Sequence, residues 1–408
     1  MSDREATPDR GFDPETVLAD REARGLRRHR RPAEEVAART RFAPDPKGDR
    51  PRFGRERLVF AANDYLGLAD DSRVERAASA AAREVGTGAG ASRLVTGDTR
   101  LHRALERDIA ETKRTERALV FSSGYAANVG TIGALAPDVV FSDELNHASI
   151  VDGCRLSGTE TVVYDHCDAD ALATVMAERA RETDPTADER WLVVTDSVFS
   201  MDGTVAPLGA VCDVAERHGA WVMVDEAHAT GLHEDGGGVV QREGLSDRVD
   251  VQMGTLSKAL AAQGGYVAGD ESLVELLVNE ARSFVYSTGL APPAAGAARE
   301  ALRIAREGDL RESFWSNVEY LREGLESLGF DVLGDSHVLP VLVGDRADAV
   351  ALADGLRELG VVAPAIRPPT VPDGTSRIRV APMATHTADD LDACLDAFEA
   401  EATRLDLP

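Results

Sequence analysis

The sequence predicts an α/β protein: a central, mostly parallel, seven-stranded sheet with helices on both faces, and a smaller α+β domain behind it. Three observations predict it. Seven short, Val-rich apolar segments lie between residues 118 and 269, separated by longer stretches. Those stretches carry apolar residues at a 3.6-residue period, as helices packed on a sheet do. From about residue 291 the pattern changes to longer helices with one weak strand.

Along the chain, residues 14–40 read as helical, with Leu18, Leu26 and Val36 among many charges. A Pro- and Arg-rich loop follows at 43–57, so residues 1–56 form an N-terminal helical arm. "RLVFAANDYLGLA" (57–69) is a short strand that breaks into a turn and opens a large domain, 57–290. Its strands are "ALVFSS" (118–123), "DVVFSD" (138–143), "ETVVYD" (160–165), "WLVVTDS" (191–197), "WVMVDEA" (221–227), "VQMGT" (251–255) and "GYVAG" (265–269). Between them, "PLGAVCDVAERHG" (207–219) shows the helical period and stops on glycine. The small domain, 291–408, has a weak strand at 338–343 and a final helix at 387–403.

Composition narrows the function. The net charge of −26 over 408 residues argues against nucleic acid as a partner, because a phosphate backbone needs a basic footprint. The acidity is spread along the chain, and lysine has nearly vanished: only Lys47, Lys113 and Lys258 remain among 45 basic residues. Adaptation to high salt and a genome rich in arginine codons both produce this pattern. No apolar run approaches the ~20 residues of a membrane span. The charged start "MSDREATPDR" does not read as a signal peptide, so a cytoplasmic protein is expected. The four cysteines form no CxxC, and the histidines show no HxxxH or paired HxxE spacing, so no metal is expected.

In such sheets ligands bind at the carboxyl ends of the strands. Three strand ends carry candidate chemistry: Asp196 with Ser200, Asp225 with His228, and Thr255 and Ser257 with Lys258. Taken singly, each Asp, Ser or Thr is equally a helix cap. Together they gather an acid, a histidine, hydroxyls and a lysine on one sheet edge. Lys47 and Lys113 sit in charged stretches and read as solvated, whereas Lys258 has small, apolar neighbours that favour a neutral, nucleophilic amine. A Schiff-base lysine with a strand-end aspartate suggests pyridoxal 5′-phosphate, the aspartate keeping the pyridine nitrogen protonated. "FSSGYAANVG" (121–130) offers backbone amides at a helix start for the phosphate. His147, in "DELNHASIVDG" (143–153), offers a ring to stack on the cofactor.

These motifs, in this order, resemble the α-oxoamine synthases among the fold-type I pyridoxal phosphate enzymes. The resemblance runs from about residue 15 to the C-terminus through "NDYLGLA", "SSGYAAN", "NHASIVDG", "VFSMDG", "VDEAHATG", "TLSK", "YSTGLAPP" and "IRPPTVP…SRIRVAP". It implies that Lys258 carries the cofactor and removes the Cα proton, that Asp225 pairs with the pyridine nitrogen, and that His228 meets the 3′-oxygen. It implies that His147 stacks on the ring and that Ser200 lies beside the cofactor oxygen. Gly124, Tyr125, Thr255 and Ser257 would hold the phosphate. The family's active site lies between two subunits of a homodimer, so Thr288 would reach the phosphate of the other subunit. Asn63 and Arg379 would bind the amino-acid carboxylate, and Arg367 the acyl-donor side. Two positions depart from the usual pattern: Thr255 is followed by "LSK" rather than "FGK" or "FSK", and Asp196 stands where a longer glutamate is common.

Family members condense an amino acid with an acyl thioester and release CO₂. The glycine-rich segment at 86–106, with His102, lacks the GK[ST] of an ATP-binding loop. Like "IRPPTVP", it resembles the members that join L-alanine to a pimeloyl thioester, the donor being pimeloyl-CoA or a pimeloyl carrier protein. "RGLRRHRR" (24–31) puts five arginines into eight residues. They offset a helix dipole, or Arg27 and its neighbours attract the distal carboxylate of a pimeloyl group or the phosphates of its carrier. The alternatives are the same chemistry with glycine and a short acyl-CoA, and a non-catalytic scaffold, which would be expected to lack Lys258.

Overall fold

The computed structural model of the protein describes residues 11–28, 30–43, 52–183 and 188–408; Lys47 lies outside them. Two units are distinguished, one of residues 1–35 and 40–56, the other of 36–39 and 57–408.

In the first unit the expected helix at 14–40 is much shorter: it spans Pro14–Ala23 and buries no residue. Asp13 caps it, its carboxylate accepting from the Thr16 amide at 3.1 Å. Gly25, at φ +62°, turns the chain out of the helix. The sequence shows why: three apolar residues among many charges make no stripe for tertiary packing to stabilise. The arginines of 24–31 therefore lie beyond the helix rather than in its last turn.

The second unit is built on the expected seven-stranded sheet. Its spatial order is Arg117–Phe121, Gly265–Gly269, Val251–Thr255, Trp221–Asp225, Trp191–Asp196, Val139–Asp143, Glu160–Tyr164. Only Gly265–Gly269 runs antiparallel to its neighbours. The sheet is covered on both faces, and side chains alternate between the two apolar clusters: Val193 points into one, Leu192 and Val194 into the other. Each fully buried Val or Leu contributes about 1.5–3 kcal/mol. Val-rich strands without a polar face are the direct consequence. Glu160–Tyr164 at one edge is mostly exposed, and its Glu, Thr and Tyr fit an edge position.

Helices return the chain to the same edge each time. Ser123 caps Gly124–Leu135 by accepting from the Ala126 amide at 3.1 Å. Helix Leu208–Arg217 ends just before Gly219, at φ +67°. The parallel strands thus deliver Asp143, Asp196, Asp225 and Thr255 to one rim. Further along the chain, a three-stranded antiparallel sheet orders Leu339–Gly344, Ser376–Val380 and Ala365–Ile366. The first of these was expected; the other two were not. "SRIRV" alternates charge and apolar residues, which places Arg377 and Arg379 on one face of their strand. Both arginines are buried. The final helix runs Ala388–Leu405, capped by Thr387.

Candidate active site

A cavity of about 220 Å³ opens at the rim of the sheet. Lys258, His147, Asp225, His228, Ser200, Gly124, Tyr125, Thr255 and Ser257 all line it, with Asp196, Asn128 and Ser149. The turn after Val251–Thr255 carries Lys258. Thr255 Oγ1 donates to the Gly264 carbonyl at 2.9 Å and accepts from the Ser257 amide at 3.2 Å, which fixes the turn. Lys258 Nζ makes no hydrogen bond or ion pair among the described residues, and burial pulls its pKa down to about 8, against the upward pull of Asp225 and Asp196.

Adjacent strands set Asp196 and Asp225 side by side in register. Burial, reinforced by the charge of Asp225, pushes Asp196 well above the carboxylate range. Asp196 also accepts from the His147 amide at 3.1 Å, so even the short aspartate reaches the stacking loop. Asp225 is held by two donors, Asn128 Nδ2 at 2.7 Å and the Ala227 amide at 2.8 Å. Asn128 Nδ2 also donates to Ser149 Oγ at 2.8 Å, and that hydroxyl lies 2.7 Å from His147 Nδ1.

His228 is buried, and that burial, with Lys258 nearby, holds it well below the usual histidine range, so the ring is neutral. The Tyr65 hydroxyl lies 2.6 Å from His228 Nδ1. Burial raises Tyr65 to about 12, so the phenol keeps its proton, which either Asn63 Oδ1 or His228 Nδ1 can accept. Asn63 Oδ1 is 3.3 Å from the same hydroxyl and accepts from Arg379 Nη2 at 2.9 Å. Arg379 Nε donates to the Ser200 carbonyl at 2.7 Å. Asn63 and Arg379 are therefore linked directly to the cavity wall.

The sequence reading passed over Tyr65, Asn128 and Ser149. Asn128 had a signal: it lies four residues after Gly124 on one helix, hence on the same face. Tyr65 had none for its contact with His228, which lies 163 residues away in the chain.

Other expected residues lie elsewhere. Thr288 is exposed, bridges Ser92 and does not line this cavity. Arg367 is partly exposed, and its guanidinium makes no hydrogen bond or ion pair among the described residues. Arg27 belongs to the N-terminal unit, where it lies 3.4 Å from Glu22. His102 is buried and structural: its Nδ1 accepts from the Thr99 amide at 3.1 Å, and Nε2 lies 2.7 Å from the Leu290 carbonyl.

One expectation fails. Lys113 is not solvated; it is 1% exposed, ion-paired with the buried Glu226 and bonded to Gln241 Oε1 at 2.9 Å. Burial pulls Lys113 down, but Glu226 outweighs it and the ammonium stays charged. Charged neighbours in sequence point outward from a helix whose other face is buried, so they say nothing about the lysine between them. Lys113 is therefore a structural cation, and Lys258 differs from it in being unpaired. A larger cavity, about 570 Å³, lies between helices Ser72–Glu84 and Pro292–Glu307. Its arginines are already matched, Arg303 with Glu300 and Arg299 with Asp108, and it holds none of the expected residues.

The cavity wall fits pyridoxal phosphate. The amides of Gly124 and Tyr125, in the first turn of their helix, make no hydrogen bond among the described residues. Gly265 must be glycine there: a Cβ would come within 2.6 Å of the Gly124 amide nitrogen and the Ser123 carbonyl. The Thr255 hydroxyl lies beside Gly124 and 2.8 Å from that of Ser257, and a buried carboxylate, Asp225, lines the same cavity.

Comparison with known proteins agrees. The aminotransferase class I and II family matches residues 55–398. The 8-amino-7-oxononanoate synthase of Anaeromyxobacter dehalogenans strain 2CP-1 is 51% identical over 352 residues, covering 85% of this chain and 87% of that protein. The chain belongs to the aminotransferase class I and II family, in its α-oxoamine synthase branch. An α-oxoamine synthase of the same name from Geobacter sulfurreducens is 48% identical, covering 85% of this chain and 88% of its own. Among solved structures, Sphingomonas wittichii serine palmitoyltransferase superposes with a TM-score of 0.88 at 31% identity, covering 97% of this chain and 98% of its own. A structure of SPT with a PLP internal aldimine matches with the same TM-score at 29% identity and the same coverage. As an α-oxoamine synthase, the chain is a pyridoxal phosphate-dependent acyltransferase.

Proposed function

We propose that this chain joins L-alanine to a pimeloyl thioester, with loss of CO₂, to give 8-amino-7-oxononanoate on the route to biotin. The observation that carries the reading is the unpaired Lys258 amine lining one cavity with the buried Asp225, in a chain half identical to synthases of that name.

When bound, pyridoxal phosphate supplies the electron sink for the pair released at Cα. The chain's own residues do the rest. Gly124, Tyr125, Thr255 and Ser257 bind the phosphate, joined by Thr288 of a second subunit in a homodimer. Asp225, aligned by Asn128 and the Ala227 amide, keeps a proton on the pyridine nitrogen. His147 would cover the ring, and His228 would meet the 3′-oxygen near Ser200. Arg379 and Asn63 take the alanine carboxylate, which leaves Lys258 Nζ to remove the Cα proton. An amine near pKa 8 is suited to that transfer at neutral pH. Arg367 serves the acyl donor, and Arg27 the distal carboxylate or carrier phosphates. The division into arm, large and small domains at 56/57 and 290/291, and the salt adaptation, belong to the same reading.

The test is an absorbance titration of the holoenzyme in high salt with L-alanine, glycine and L-serine, followed by CO₂ release with pimeloyl-CoA or a pimeloyl carrier protein. Response to L-alanine at the lowest concentration, with turnover of a pimeloyl donor, is expected. Tighter response to glycine moves the reading to a short-acyl relative. Tighter response to serine moves it towards the palmitoyltransferases that the fold also matches. One methyl group alters selectivity by only ~1–3 kcal/mol, so the comparison must be quantitative.

A further inference from the structure

Of the four cysteines, Cys154, Cys212 and Cys394 are buried and only Cys167 is not. Burial also pushes the Cys154, Cys212 and Cys394 thiols up, which makes them inert. Cys167 follows the edge strand Glu160–Tyr164, and its Sγ lies 3.5 Å from Nε2 of His166. The other ring nitrogen, Nδ1, is 2.8 Å from Asp143 Oδ1. Asp143 Oδ2 accepts from the Cys167 amide at 2.8 Å, so one carboxylate orients both residues. Thiol, imidazole and carboxylate form an ordered chain outside the cofactor cavity.

Burial pulls His166 down, but its bonds to Asp143 and to Cys167 outweigh this and raise it to about 10. The ring is an imidazolium at neutral pH, and a positive ring beside a sulfur favours attack by that sulfur. The three side chains lie close enough to share a metal ion, but both Asp143 oxygens already accept hydrogen bonds and His166 Nε2 is 2.7 Å from Thr204 Oγ1.

The cluster is packed on the wall of the active site. His166 Nε2 lies 2.7 Å from Thr204 Oγ1, and its ring stacks edge-on to Phe199 at 4.3 Å. The Phe199 amide donates to the Thr204 carbonyl at 3.0 Å, closing a turn that contains Ser200. Asp143 starts the loop that carries His147.

We propose that Cys167 is a redox-modifiable thiol, activated by His166 and Asp143, whose oxidation by a hydroperoxide disturbs the Phe199–Thr204 turn and lowers turnover. The Cys167 thiol first releases its proton to solvent; the sulfur then attacks one oxygen of hydrogen peroxide, an S–O bond forms and the O–O bond breaks. His166 Nε2 gives its proton to the departing oxygen, which leaves as water (as an alcohol from an alkyl hydroperoxide), and the ring takes a proton back from solvent. Sulfur loses two electrons to become a sulfenic acid, and the peroxide gains them. The added oxygen crowds His166 Nε2, which lies 3.5 Å from Sγ and 2.7 Å from Thr204 Oγ1. A small thiol reductant reverses the step. This goes beyond the proposed function, because chemical trapping at Cys167 does not depend on which acyl donor is used.

The experiment treats holoenzyme with graded hydrogen peroxide and a sulfenic-acid trap, maps the modified peptide by mass spectrometry and follows activity. Cys167 is expected to be trapped at roughly tenfold less peroxide than any other cysteine, with activity falling in parallel and returning with dithiothreitol. Cys167→Ser is expected to keep basal activity and lose the sensitivity. His166→Gln is expected to slow trapping about tenfold or more. Trapping at another cysteine first, equal peroxide sensitivity in Cys167→Ser, or unchanged trapping in His166→Gln overturns the proposal. So does full protection by equimolar Zn²⁺, which assigns the cluster to a metal. Trapping in the wild type stands on its own if a variant fails to fold.

Discussion

The amine of Lys258 is expected to capture pyridoxal phosphate with a pH dependence set by its surroundings. Burial holds Nζ near pKa 8, against 10.5 for an ordinary lysine. At pH 7 about one tenth of the chains then carry the neutral, nucleophilic amine, against roughly three in ten thousand for a solvated lysine, a ~300-fold advantage. The neutral fraction grows as pH rises and saturates once pH passes 8. Protein stripped of cofactor, mixed with pyridoxal phosphate in a stopped-flow spectrometer at constant high salt, reads this directly. A small primary amine run in parallel corrects for the titration of the aldehyde itself. The corrected rate is expected to rise about tenfold per pH unit below pH 7 and flatten near pH 8. The sign of two variants follows from the charges around Nζ. Asp225 pulls the pKa up and Arg379 pushes it down, so Asp225→Asn moves the plateau to lower pH and Arg379→Gln moves it to higher pH. A rate that still climbs tenfold between pH 9 and pH 10 would refute the reasoning, because it would show Lys258 behaving as a solvated amine.

Three further outcomes are expected. Gly265→Ala puts a Cβ within 2.6 Å of the Gly124 backbone, which spreads the phosphate cradle; equilibrium titration is expected to show cofactor binding weakened about tenfold or more, against near-native circular dichroism. Glu226→Gln leaves the Lys113 ammonium buried without its counter-charge and is expected to lower unfolding free energy by about 3–5 kcal/mol in urea titration, a loss that a surface pair such as Arg303–Glu307 does not produce. Tyr65→Phe removes the hydroxyl bonded to His228 Nδ1 and frees the ring to reorient; the cofactor absorbance is expected to shift and kcat to fall about tenfold, with stability changed by less than ~1.5 kcal/mol.

Much of the fold was legible because its signals are local. Val-rich runs bounded by polar residues located all seven central strands, since strands buried on both faces have no room for polar residues. The strand-end rule then pointed to Asp196, Asp225, Thr255 and Lys258, because parallel strands joined by helices must all end on one rim. Where a signal was weak or its partner distant, the reading fell short. The helix expected at 14–40 shrank to Pro14–Ala23 because charged residues without an apolar stripe gain nothing from packing. The strand Ser376–Val380 was missed because its alternate arginines look solvated, although both are buried against the Ser200–Asp202 turn.

The sequence by itself determined the layering of the protein, the chemistry gathered at its rim and the family it belongs to, because these rest on periodicity and on the order of motifs. Only the tertiary structure decided the state of each group. Lys113 and Lys258 look alike as letters, yet one is buried against Glu226 and stays charged, while the other faces a cavity unpaired and tends to neutrality. Tyr65, Asn128 and Asp143 gain their roles from residues tens to hundreds of positions away. Charge and hydrogen bonding depend on distance in space, which the order of residues does not contain until the chain is folded.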